Sequence, residues 1–282
     1  MIEVLTNNNI KDAVNLWCDN KDSANEIYGH INEWDVSNIT DMSFLFKYKI
    51  NFNDDISNWD VSNVTDMQGM FWNAASFNQP LNNWNVSSVT NMKGMFFAVY
   101  EFNQPLNNWN VSNVTNMNFM FYKAESFNQS INNWNVSNVT NMEYMFYHAY
   151  SFNQPINTKE ITKEDGTIYI AWNVSNVTNM MGMFYRAYSF NQPLNNWNVF
   201  RVTNMKSMFE GAKSFNQSLK NWDVSNVTNM EEMFSCAESF NQPVSNWDVS
   251  NVKNMAGMFK FTDSFNKPLN NWNVSNVIDV NK

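Results

Sequence analysis

WDVSNVTDMQGMFWNAASFNQPLNN, residues 59–83, is one copy of a unit that the rest of the chain repeats. Trp34, Trp59, Trp84, Trp109 and Trp134 stand 25 residues apart, and Trp172, Trp197, Trp222, Trp247 and Trp272 resume that interval after one gap of 38. A fixed period of this length marks a solenoid. About ten such coils make one elongated domain whose length grows with copy number, so the size priors of globular domains do not apply.

Inside the unit, Met67, Met70, Phe71 and Ala74 fall at i, i+3, i+4 and i+7. That spacing is one helical face, with Thr65 or Asp66 placed as N-cap. Trp59 and Val61 alternate with Asp60 in the manner of a strand. The sequence therefore predicts a mixed α/β repeat solenoid, each coil holding one short helix and short strands. All six prolines (Pro80, Pro105, Pro155, Pro193, Pro243 and Pro268) share one repeat position. A fixed φ and a missing donor suit a corner there. Gly69, Gly94, Gly182 and Gly257 share another, read as letting neighbouring helices approach. Trp59, Met67, Phe71, Phe77 and Asn78 represent columns expected to stack as structural ladders. Asn78 belongs to a series running from Asn53 to Asn266 without substitution, expected to be an inward amide ladder that satisfies backbone groups at a turn. Burying one coil's apolar set falls short of the entropy of ordering its backbone, so a coil folds only against its neighbours.

The unit W-[ND]-V-S-N-V-T-[ND]-M-x-x-M-F-x-x-A-x-S-F-N-Q-P-[LI] covers about 250 of the 282 residues. It resembles the repeat of the BspA-like leucine-rich-repeat surface proteins, including the Mycoplasma-type domain of unknown function grouped with them. The lead-in AVNLW and YGHINEWDVSNITDM, within residues 13–42, resembles the segment that precedes such arrays. The resemblance implies a leucine-rich-repeat-like, right-handed solenoid acting in adhesion or host interaction at a surface. It implies no enzymatic activity.

Net charge is −9, which would repel a nucleic-acid backbone in the absence of a basic face. Nucleic acid is not an expected partner. The first residues lack a basic stretch followed by an apolar one, and nowhere do 18 apolar residues run together. No membrane insertion is expected. Localisation stays open: intracellular or particle-associated if the chain is full length, at the cell surface if a leader was removed. Cys18 and Cys236 lie about seven coils apart, roughly 30 Å or more at the strand spacing, beyond disulfide reach.

Residues 1–33 are read as an N-terminal helical cap and 34–282 as the solenoid. Ile10, Val14, Trp17 and Cys18 form one apolar face of the cap, and Ala24, Ile27 and Tyr28 a second. After Trp272 no Met-Phe pair follows, and Val280 stands where other coils carry Met. An uncovered end of this kind suggests weak end-to-end self-association. The gap of 38 contains an insertion at about 158–170, TKEITKEDGTIYI, in which two strand-like runs flank Asp165-Gly166. A projecting β-hairpin is expected, with Glu164 and Asp165 at its tip as candidate partner contacts.

The residue after each Met-Phe pair varies. In five successive coils it is Trp72, Phe97, Tyr122, Tyr147 and Tyr185; later it is Glu210, Ser235 and Lys260. Tyr100, Tyr150 and Tyr188 lie three residues further on. Together they form a candidate aromatic stripe for protein or carbohydrate contact, or for packing between coils. His30 and His148 have no metal-ligand partners in spacing, and no phosphate-binding loop or nucleophile motif is present. Most coils replace Asp60 and Asp66 by Asn, which argues against calcium. The expectation is a non-enzymatic protein-binding scaffold without cofactor or metal; the alternative is a structural or assembly component of a particle or surface layer.

Overall fold

The structure, a computed structural model, describes residues 2–278. Two helices, α1 (Ile10–Asp19) and α2 (Lys21–Tyr28), and a 3-10 turn, Ile31–Glu33, lead into a stack of coils. Ile10, Ala13, Val14, Trp17 and Ala24 are buried and join the apolar core that runs through the stack. Asp54 of the first coil ties both helices down. It accepts from the Trp17 indole N–H at 2.9 Å and pairs with Lys21 at 2.7 Å. Cys18, in α1, has its thiol pushed up to about 11 by burial, which removes thiolate character.

The coils form a repeat solenoid, but their interior differs from the helical reading. Among the described residues of the repeats there is no helix. Met67, Met70, Phe71 and Ala74 are fully buried, yet the backbone that carries them is a run of overlapping turns. Alternate N–H groups close these turns: Met70 donates to Met67 O, Trp72 to Gly69 O, and Ala74 to Phe71 O. The intervening ones cross to the next coil: Met67 donates to Asn91 O, Gly69 to Lys93 O, Phe71 to Met95 O, and Asn73 to Phe97 O. A helix would consume every donor internally. The turn ladder spends half of them on stacking.

Two positions per coil make this possible by adopting left-handed φ, for example Gly69 at 56° and Asn73 at 58°. The shared glycine position is thus a turn requirement and not a helix-packing one. At Gly182 (φ 58°) a Cβ would also collide with the Tyr144 ring of the preceding coil. Asp66, read as a helix cap, accepts from the Gln68 N–H at 2.7 Å. This local Asx turn starts the ladder and looks like an N-cap in sequence. The strands of each coil reduce to single parallel bridges, a column running Asp41, Asp66, Asn91, Asn116, Asn141, Asn179, Asn204, Asn229 and Asn254.

Side-chain columns join the coils elsewhere. The Trp134 indole N–H donates to Leu106 O one coil back at 3.1 Å, and the same bond recurs from Trp59 to Trp272. Asn53 Oδ1 accepts from the Asn78 N–H at 2.9 Å and from Gln79 Nε2 at 3.1 Å, a pair repeated up the stack. These asparagines lie half-buried or exposed at the rim, so the amide column sits outward of the place expected for it.

Equivalent rings repeat at different intervals around the coil. Centroids step by 6.4 Å from Trp109 to Trp134, 6.0 Å from Phe102 to Phe127, 5.5 Å from Phe96 to Phe121 and 4.3 Å from Tyr122 to Tyr147. Parallel, equivalent groups step by the local rise, so the coils fan apart on the tryptophan side. The Trp72–Tyr185 column lies on the inner side of the bend.

The insertion forms an antiparallel hairpin, β1 (Lys159–Thr162) and β2 (Ile168–Ala171), with Ile161 opposite Tyr169. Lys163 N–H donates to Thr167 O, which leaves a three-residue loop, Glu164-Asp165-Gly166, instead of a two-residue turn. Gly166 has φ 81°, the left-handed residue such loops need. At the far end of the array Phe259, Phe265, Leu269 and Trp272 are half-buried. Val280 lies outside the described residues.

Candidate functional site

Trp72, Phe97, Tyr122, Tyr147 and Tyr185 form one continuous stack. Successive centroids are 3.7, 4.3, 4.3 and 4.5 Å apart and the planes lie within 10° of parallel. Each ring is half-buried. Its face is covered by the rings above and below, so what it presents is mainly an edge. Packing between coils and a surface stripe, separate alternatives in sequence, are here two sides of one arrangement.

Cations flank the stack. Lys47, which precedes Trp72 in the column, sits 5.9 Å from the Trp72 ring; Lys123 lies over Tyr122 at 5.9 Å and Arg186 over Tyr185 at 5.4 Å. Burial pushes the Tyr122 hydroxyl above the usual tyrosine range, and nearby Tyr147 adds to it. Burial likewise raises the Glu210 carboxyl, next in the column after Tyr185. The Lys47 position was legible from the 25-residue spacing; the partners of Lys123 and Arg186 depend on side-chain direction.

Of the outer tyrosines, Tyr150 and Tyr188 stack at 4.8 Å. Tyr100 is half-buried and stands apart from them, because Glu125 occupies its column in the intervening coil. His148 bridges the two groups. It stacks on Tyr147 at 4.4 Å, and its Nδ1 is 2.7 Å from the Tyr150 hydroxyl. Its Nε2 is buried without a partner. Burial, reinforced by Arg186 and Lys123, holds the imidazole down at about 4. A neutral ring is the form that fits between them.

Glu164 and Asp165 are exposed at the hairpin tip. The Asp165 carboxylate accepts from the Thr167 N–H at 2.8 Å, and this bond lowers its pKa. The hairpin faces the tryptophan side of the coils, where the Tyr169 hydroxyl donates to Asn133 O. Below it lies an open cleft of about 470 Å³ lined by Asn107, Asn110, Asn133, Asn135, Lys163 and Tyr169, among others. Among the described residues no group of three or more His, Cys, Asp or Glu could hold a metal ion, and no helix is long and apolar enough to cross a membrane.

The family of unknown function described as "Mycoplasma protein of unknown function, DUF285" matches residues 18–111, 82–167, 166–224 and 193–282. The chain belongs to this family. Four overlapping matches fit a repeat family, and they assign no activity. No curated protein matches the chain. A solved structure, "Crystal structure of TLR13-ssRNA13 complex", is similar at a TM-score of 0.26 and 10% identity, over 86% of this chain and 44% of that one. The chain spans less than half the length of that protein, and a likeness this slight carries nothing over to this chain.

Proposed function

We propose that this chain is a non-enzymatic recognition scaffold that engages a partner protein along the inner side of its bend. Residues 1–33 serve as a cap on the first coil, and the coils from residue 34 onward carry the surface. The observation behind this reading is the five-ring stack from Trp72 to Tyr185, which later coils dispense with at Glu210, Ser235 and Lys260. Stacking holds the rings rigid, so contact with a partner costs little further side-chain entropy. Aromatic residues with Arg nearby are the side chains that dominate protein interfaces. Adhesion to a host protein is the setting that the resemblance to surface proteins implies.

The test is capture of binding proteins from host-cell lysate by the chain and by a variant carrying Trp72→Ser, Tyr122→Ser and Tyr147→Ser, with the captured proteins identified by mass spectrometry. The expected result is that specific partners are lost while the thermal transition remains cooperative. Capture that is unchanged by the three substitutions would overturn the reading.

A further inference from the structure

A second surface, separate from the ring stack, differs from it in chemistry. One column of side chains runs Asp35, Asp60, Asn85, Asn110, Asn135, Asn173, Asn198, Asp223, Asp248 and Asn273. Each Oδ1 accepts from the N–H two residues on, as Asp60 does from Ser62 and Asn110 from Ser112. Carboxylate and carboxamide do this structural task equally well. They differ in the other atom, which is a second acceptor on Asp and an Nδ2 donor on Asn. The central coils all carry Asn, and the hairpin overhangs two of these positions, Asn110 and Asn135. Neither Nδ2 has a protein partner among the described residues.

The cleft between them and the hairpin holds about 470 Å³, within the range of small-ligand sites. Lys163, Thr167, Ser112 and Asn108 add donors and hydroxyls to its wall, and no carboxylate lines it. Asn133, also in the wall, donates its Nδ2 to Asn107 O at 2.7 Å, which leaves its Oδ1 buried with no donor. The same strip continues on later coils around Asn195 and Asn198, but there it is unroofed and bordered by Asp223. Free amide donors and hydroxyls beside the Tyr169 ring call for a ligand dense in groups that both donate and accept. We infer that the cleft beneath the hairpin binds a neutral saccharide, with Asn110 and Asn135 donating to its hydroxyls and Tyr169 holding the roof in place. Trp109 and Val111 also line the cleft but are almost wholly buried, so the wall offers a peptide's side chains no apolar pocket beyond the Tyr169 ring.

Saturation-transfer NMR on the whole chain tests this with maltotriose, cellotriose, mannotriose and N,N′-diacetylchitobiose as probes, and tetraalanine as the peptide comparison. At least one saccharide is expected to receive transfer from the protein. The pair Asn110→Asp and Asn135→Asp keeps both turn bonds, as the natural Asp coils do, and should weaken binding about tenfold or more. Excising residues 158–170 restores the 25-residue interval and should have the same effect. Asn173→Asp with Asn198→Asp, outside the roof, should leave binding unchanged. Absence of transfer to all four saccharides, transfer to tetraalanine alone, or binding that persists in either cleft variant overturns the inference. None of these outcomes bears on the ring stack.

Discussion

His148 combines three constraints at one residue. Its φ is 55°, its ring is wedged against Tyr147 and Tyr185, and burial holds its folded pKa at about 4, below the ordinary histidine value of 6.5. A histidine kept neutral by the fold binds fewer protons than in the unfolded chain, so it contributes stability above pH 6.5 that is lost as pH falls towards 4. The lowered carboxylates Asp35, Asp60 and Asp248, held down by their bonds to serine, act in the same direction but only below the ordinary carboxylate range. Thermal melting followed from pH 7 to pH 4 should therefore show a fall in Tm that His148→Asn reduces. Asn73 occupies the equivalent position in another coil at φ 58°, so the replacement suits the backbone. Glu210 titrates in both proteins and cancels in the comparison. An identical pH dependence in the two would show that His148 is protonated freely in the folded state.

At the scale of the element, the run from Met67 to Ala74 has the apolar spacing of a helix and the backbone of a turn ladder, and glycine substitutions tell the two apart. In a helix interior, Gly→Ala stabilises by up to about 1 kcal/mol. At a left-handed position it destabilises by about 1–2 kcal/mol. Gly257 has φ 62°, and a methyl there would lie 3.3 Å from Glu232 Cγ, a contact that the flexible side chain can relieve by a small shift. Gly257→Ala should therefore lower stability by about 1 kcal/mol, and Gly182→Ala by more because Tyr144 blocks its Cβ; urea denaturation measures both. Stabilisation by either would restore the helix.

The sequence concealed this element for a physical reason. Both conformations bury residues 67, 70, 71 and 74, so periodicity identified the core and left the backbone open. The glycines hinted at positive φ, but Phe44, Phe119 and Tyr144 occupy the same position at φ 57°, 60° and 54° and masked the hint. The ring stack was readable because it follows the repeat. The cleft was not, since it depends on the hairpin folding back so that Tyr169 reaches Asn133, 36 residues away.

At the scale of the molecule, stacking and bending follow from one geometry. Backbone bonds and the turn ladder set a rise near the strand spacing of about 4.8 Å. Bulky indoles and phenyl rings widen it to 6.0–6.4 Å on one side, while flat stacking of the tyrosines closes it to 4.3–4.5 Å on the other. The bend gathers the aromatic stripe on the inside and spreads the amide column on the outside, which separates the two surfaces proposed for binding.

The register of the coils is tested most directly by spin-label distances between exposed proline positions, with Cys18 and Cys236 replaced by serine. Labels are placed at Pro80 paired in turn with Pro193 and Pro243, four and six coils away. Stacking requires the distance to grow by about 5–6 Å per coil, with the thirteen inserted residues adding nothing. Distances that fail to increase between the two pairs, or that follow residue number instead of coil number, would contradict a continuous stack.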